Sequence, residues 1–138
     1  MADVVDPGVV GAVQGGFVSE GWHYVNGAGE PAFNSNWGSA GSASFRIREA
    51  GIVDISIGVI ASPDLATNKI WTMPEGYRPT NSMDGGVVGY GTRTGGSARE
   101  PIYVAVDPDG SVFAYAMDGS GVILVNAYVG GQFFIDNP

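Results

Sequence analysis

No stretch of eleven or more residues in this 138-residue chain keeps a 3.6-residue apolar period without a glycine breaking it. That excludes a helical core. The apolar residues recur instead at every second position, in short runs bounded by turn residues, the signature of half-buried strands. In "ASFRIRE", Ala43, Phe45 and Ile47 share one face and Ser44, Arg46 and Arg48 the other. Ala50-Gly51 supplies a turn, and "IVDISIGVI" resumes with Val53, Ile55, Ile57 and Val59 on a common side. The pair predicts an antiparallel hairpin with one buried face.

A second hairpin is as plain. Ile102, Val104 and Val106 alternate with Tyr103 and Ala105, and "DPDG" follows. Asp107, Pro108 and Gly110 occupy the positions a type I turn asks of them. "SVFAYAM" returns, "DGSG" at 118–121 turns again, and "VILVNAYV" runs on to Gly130-Gly131 and a short closing "FFI". Upstream, "GWHYV" and "AFNSNW" flank the loop "NGAGEP". The expected fold is all-β: about eight to ten short strands in an antiparallel β-sandwich or jelly roll. Residues 21–138 are expected to form one β-sandwich domain. Residues 1–20 read either as a stem or linker, or as an additional edge strand.

Between the two hairpins stands "IWTMPEGYRP". Pro74 fixes its own φ, Gly76 frees the next corner, and Pro79 removes a donor while pushing Arg78 to an extended conformation. A strand containing Ile70 and Trp71 must therefore stop, bend and leave along the surface. Tyr77 is expected to pack its ring over the sheet edge with its hydroxyl in water.

Composition removes several functions. Six Lys and Arg against fourteen Asp and Glu give a net charge of −8, which is the wrong sign for nucleic acid or an anionic membrane surface. No apolar run approaches the ~20 residues of a spanning helix, so no membrane insertion is expected. The opening "MADVVDPGVV" lacks the basic and apolar regions of a secretory signal. With one histidine and no cysteine, a zinc set lacks ligands, and His23 reads as a strand residue. "DPDG" resembles the start of a calcium loop, but its twelfth position is Asp118 rather than the bidentate Glu. No metal or cofactor is expected.

Catalysis fares no better. Ser39 in "WGSAG" is not followed by the helix that a nucleophile elbow requires. Asp107, Asp109 and Asp118 are accounted for as turn formers. Asp54, set in a strongly apolar strand, is the least ordinary acid and reads as that strand's solvent face. Saccharide binding needs aromatic faces for sugar C–H surfaces and side chains that bond hydroxyls. The candidates are Asn34, Asn36 and Trp37 in one segment, and Tyr90 and Arg93 in "GYGTRTGG". Trp37 reads first as a core or trimer-interface residue. The glycines around Tyr90 and Arg93 predict an exposed recognition loop.

The order Trp22, "GEPAFNSNW", "FRIREAGIVDISIGVI", "IWTMPEGYRP", "VAVDPDGSV" and "VILVNAYVGGQFF" resembles the C-terminal domains of bacteriophage tail-fibre and baseplate receptor-binding proteins and related minor structural proteins. The resemblance spans about residues 22 to 135, with "PEGYRP" its most specific element. Met73 stands where that group has Leu before the proline, Trp71 where it has Phe, and Arg48-Glu49 where it has a basic pair. What the resemblance implies is a homotrimeric β-sandwich head on the tail appendage of a virion, assembled with other phage tail proteins. Such a head, made in the host cytoplasm, would bind a host cell-surface glycan without enzymatic turnover. The alternatives are a structural cap or trimerisation domain with no ligand, and a polysaccharide depolymerase.

Overall fold

A computed structural model describes residues 20–34, 37, 42–48, 51–60, 68–93, 96–120 and 122–135. The strands are β1 (His23–Tyr24), β2 (Ser42–Arg48), β3 (Ile52–Ile60), β4 (Lys69–Thr72), β5 (Met83–Arg93), β6 (Glu100–Val106), β7 (Ser111–Ala116) and β8 (Leu124–Phe134). All pair antiparallel in one sheet of order β1-β2-β3-β8-β5-β6-β7-β4. Among the described residues no helix is long and apolar enough to cross a membrane. Residues 1–19, and with them most of the 1–20 segment, lie outside the described residues.

The sheet curls so that its two edges meet. Phe33, just beyond β1, makes a bridge to Trp71 of β4, and the Asn34 amide donates to the Ile70 carbonyl at 2.6 Å. The Phe45 ring of β2 stacks on Trp71, 6.3 Å between centroids, although these strands sit at opposite ends of the order. One apolar face thus closes on itself. Phe45, Val53, Val59, Trp71, Val87, Ile102, Val104, Val112 and Leu124 are each fully buried. Burying a large aliphatic or aromatic side chain stabilises by about 1.5–3 kcal/mol, so this face dominates the energetics. The Trp71 indole N–H is the one buried side-chain polar atom without a partner among the described residues.

Both hairpins form on the residues that specify them. β2 and β3 pair from Ser42↔Gly58 to Arg48↔Ile52, with Gly51 at φ 73° in the connection. At the β6–β7 turn, the Gly110 N–H donates to the Asp107 carbonyl at 2.8 Å, and Gly110 takes φ 93°. Asp109 Oδ1 accepts from the Ser111 N–H at 2.9 Å. "IWTMPEGYRP" is architectural: β4 ends at Thr72, the Tyr77 N–H closes a turn on the Pro74 carbonyl, and Gly76 has φ 94°. Arg78 Nε reaches back to the Met73 carbonyl at 2.9 Å.

Two expectations are corrected. Gly130-Gly131 does not end a strand: β8 runs unbroken from Leu124 to Phe134. Residues 89–93 of "GYGTRTGG" are not a loop either: Tyr90 and Arg93 belong to β5, an eleven-residue strand between β8 and β6. For Gly89 and Gly91 the physical reason is close packing against β8. A Cβ on Gly89 would stand 1.9 Å from the Tyr128 carbonyl oxygen, and one on Gly91 would stand 2.5 Å from that of Asn126. These glycines let two central backbones approach closely, the second use of glycine in a strand.

Candidate functional site

Period two decides which side chains face solvent. With Val87, Ile102, Val104 and Ala114 turned into the core, their neighbours must point out. The register then sets Tyr128 of β8 opposite Tyr90 of β5, Val88 opposite both Gly130 and Tyr103, and Tyr103 of β6 opposite Tyr115 of β7. The result is an aromatic band across four adjacent strands. Tyr90 and Tyr128 are 5.3 Å apart between centroids, Tyr103 and Tyr115 5.7 Å, and Phe113 and Tyr115 5.5 Å. Val88 is 50% and Tyr90 39% exposed. The Arg99 guanidinium lies 4.6 Å above the Tyr90 ring, a cation–π contact.

One rim of this band is charged. Arg93 donates through Nε and Nη2 to both carboxylate oxygens of Glu100, at 2.6 and 2.5 Å, and through Nη2 to Asp118 Oδ2 at 2.8 Å. Hydrogen bonds from the Ser120 side chain and amide, then from Arg93, lower the Asp118 pKa to about 2. Its bonds to Glu100 and then Asp118 hold Arg93 above its ordinary value. Arg93, a candidate for bonding sugar hydroxyls, thus has its guanidinium engaged by two carboxylates. Beside it, Tyr103, Tyr115, Ala116 and Gly119 line a cleft of about 220 Å³.

The other predicted segment does different work. Asn34 joins the two sheet edges, its Nδ2 donating to the Lys69 carbonyl at 3.2 Å. Trp37 is 5% exposed and belongs to the core. Asn36 lies outside the described residues, as does Ser39. Neither Asn34 nor Trp37 lies on the strands that carry the tyrosine band. Sequence reasoning finds Tyr90 and misses Tyr103, Tyr115 and Tyr128. Their signal is present: each holds the outward phase of an alternating strand, where a polar residue is the ordinary occupant.

A separate cluster fastens the start of the described chain. Glu20 accepts the Ile47 N–H at 2.9 Å and the Tyr77 hydroxyl at 2.6 Å. His23 sits between Glu30, 2.7 Å from Nδ1, and Glu20, 3.2 Å from Nε2. The expected wet hydroxyl of Tyr77 is corrected: burial and then Glu20 push its pKa up, so it stays a donor. The Glu30 hydrogen bond raises the His23 pKa against burial. Burial acts to raise Glu20, but its bonds from Tyr77, Ile47 and His23 outweigh that and lower it.

A pH dependence follows from these directions. The His23 contribution is complete below the ordinary histidine value of 6.5 and is lost as pH rises through its raised folded value. The Glu20 contribution is complete above 4.5 and is lost as pH falls through its lowered one. Thermal melts in matched buffers should show the cluster's stabilisation greatest between these values. The decline above pH 6.5 should disappear in His23→Gln; an unchanged decline would assign it to other groups.

Asp54 is on the solvent face of β3, as expected, and is held by Arg46 Nε at 3.0 Å and Arg48 Nε at 2.8 Å. No three His, Asp or Glu side chains among the described residues are arranged to hold a metal ion. Comparison of the sequence with models of protein families finds no match, and comparison with curated proteins finds none either.

Proposed function

We propose that this chain is the receptor-binding head of a phage-type tail appendage, holding a host cell-surface saccharide without turning it over. The observation that carries this reading is the outward band of Tyr128, Tyr90, Tyr103 and Tyr115 with Val88 exposed among them. A strand face left to water is normally polar, and an exposed aromatic patch rimmed by charge marks a binding surface. Tyrosine gives a sugar both an electron-rich face for its C–H groups and a hydroxyl for hydrogen bonding. The resemblance carried by "PEGYRP" and the two hairpins supplies the biological setting. On it, the curled sheet serves as a sandwich-like head, assembled as a homotrimer with other tail proteins in a virion.

Binding rather than catalysis is favoured by what the two least ordinary ionisable side chains already do. Asp54 is engaged by two arginines and His23 by two glutamates. The reading is tested by mass and by cells together. Light scattering at low micromolar concentration should give three times the 14.2 kDa chain mass, and the labelled protein should sediment with some bacterial strains and not others. A trimer that sediments with no strain would favour the structural cap, and a monomer that sediments with none would remove the head reading altogether.

A further inference from the structure

Resting on the saccharide reading above, we propose that the cleft between Tyr103, Tyr115 and the turn at 118–120 is the ligand subsite, and that it takes one uncharged pyranose ring. The two rings stand opposite each other on β6 and β7, 5.7 Å apart and inclined by 46°, so they open as a V rather than closing face to face. Phe113 stacks on Tyr115 at 5.5 Å and 11° and fixes that wall. Tyr90 offers a poorer platform, because Arg99 already lies over its ring.

The floor and rim suit a sugar ring. Gly119 takes φ 77° and has nothing within 4 Å of where a Cβ would stand, leaving open backbone at the mouth. At about 220 Å³ the cleft is below the ~300 Å³ at which pockets for drug-sized ligands begin, so it accommodates one ring and not a chain. Asp118, next to Gly119, is 50% exposed at its side chain. Its Oδ1 accepts from the Ser120 N–H at 2.9 Å and its Oδ2 from Arg93. With the Ser120 side chain also bonded to it, three of the four acceptor positions of the carboxylate are taken and one is left for a sugar hydroxyl.

Charge decides the class. The Arg93 guanidinium at this rim is shared by Glu100 and Asp118, so beside the cleft one cation meets two carboxylates, on a chain of net charge −8. A phosphate or carboxylate ligand meets repulsion there, whereas hydroxyl donors meet an ionised acceptor.

Saturation-transfer NMR on the full chain tests this with four neutral probes: the methyl glycosides of glucose, galactose, rhamnose and N-acetylglucosamine. The anionic probes are glycerol phosphate and N-acetylneuraminic acid. At least one neutral probe should show transfer with a Kd near millimolar. Tyr115→Ala should weaken it more than tenfold and Tyr115→Phe by less than threefold, with both variants checked by thermal melting. Binding of the anionic probes in preference to the neutral ones would overturn the charge assignment. Neutral binding that survives Tyr115→Ala would overturn the location. No transfer from any probe, while the parent still sediments with cells, would overturn this inference and leave the receptor-binding reading standing; loss of both would remove both.

Discussion

Gly89→Ala lowers folding stability by roughly 3 kcal/mol or more, a fall in melting temperature on the order of 10 °C. The added methyl group would stand 1.9 Å from the Tyr128 carbonyl oxygen, 2.6 Å from Val129 Cγ1 and 2.7 Å from Val129 Cα. Two of those three neighbours are backbone of β8, paired along its length with β3 and β5, so no flexible side chain can yield. Relief requires the two central strands to separate, which weakens their shared ladder. Gly130→Ala is the internal control. It lies on β8 opposite Val88, and nothing stands within 4 Å of where its added methyl group would sit. There the loss of unfolded-chain entropy should leave stability unchanged or raise it by about 0.4–1 kcal/mol. Chemical denaturation of both variants measures the contrast; equal effects would contradict the close approach of β5 and β8.

Asn68→Ala should destabilise by about 2–6 kcal/mol. Asn68 is 5% exposed and joins three parts of the chain ahead of β4. Its Nδ2 donates to the Val122 carbonyl at 2.8 Å, its Oδ1 accepts the Leu124 N–H at 3.0 Å, and its own carbonyl accepts the Ala114 N–H at 3.1 Å. Alanine keeps the last bond and strands the other two groups at the entry to β8. Each unsatisfied buried group costs about 1–3 kcal/mol. Asn68→Asp sharpens the test, since it keeps an acceptor for Leu124 but sets a carboxylate against the Val122 carbonyl. Its folded pKa must rise, so the variant should gain stability relative to the parent as pH falls through that raised value. A pH-independent difference would show that the amide donor contributes little.

The sequence is most legible where a single cause produces each signal. Alternation alone places Phe45, Val53, Ile55, Val104 and Val106 inside, and "DPDG" forms its turn on Asp107 and Gly110. Glycine is less legible because it answers two demands. Gly51, Gly76, Gly110 and Gly119 take positive φ in turns, whereas Gly89 and Gly91 make room between paired strands. Composition cannot separate these, so from sequence alone the end of β5 reads as a loop and β8 as two pieces. The candidate site is half legible for a related reason. Tyr90 stands out by its glycines, but the band it joins depends on which strands neighbour one another, and the β3-β8-β5 order follows from contacts far apart in sequence. Glu20 and Tyr77, 57 residues apart, meet only because the sheet curls.

The proposed binding surface is tested most directly by sedimenting labelled protein with a bound strain after removing the tyrosine rings. Tyr90→Ala combined with Tyr103→Ala should reduce cell binding more than tenfold while the melting temperature stays within a few degrees of the parent. Repetition of weak sites on an assembled appendage would amplify that loss. Tyr24→Ala removes a ring that is 57% exposed on β1, separated from β5 by β2, β3 and β8, and should bind cells as the parent does. If the double variant binds as tightly as the parent, or Tyr24→Ala loses binding in its place, the outward tyrosine band is not the receptor surface.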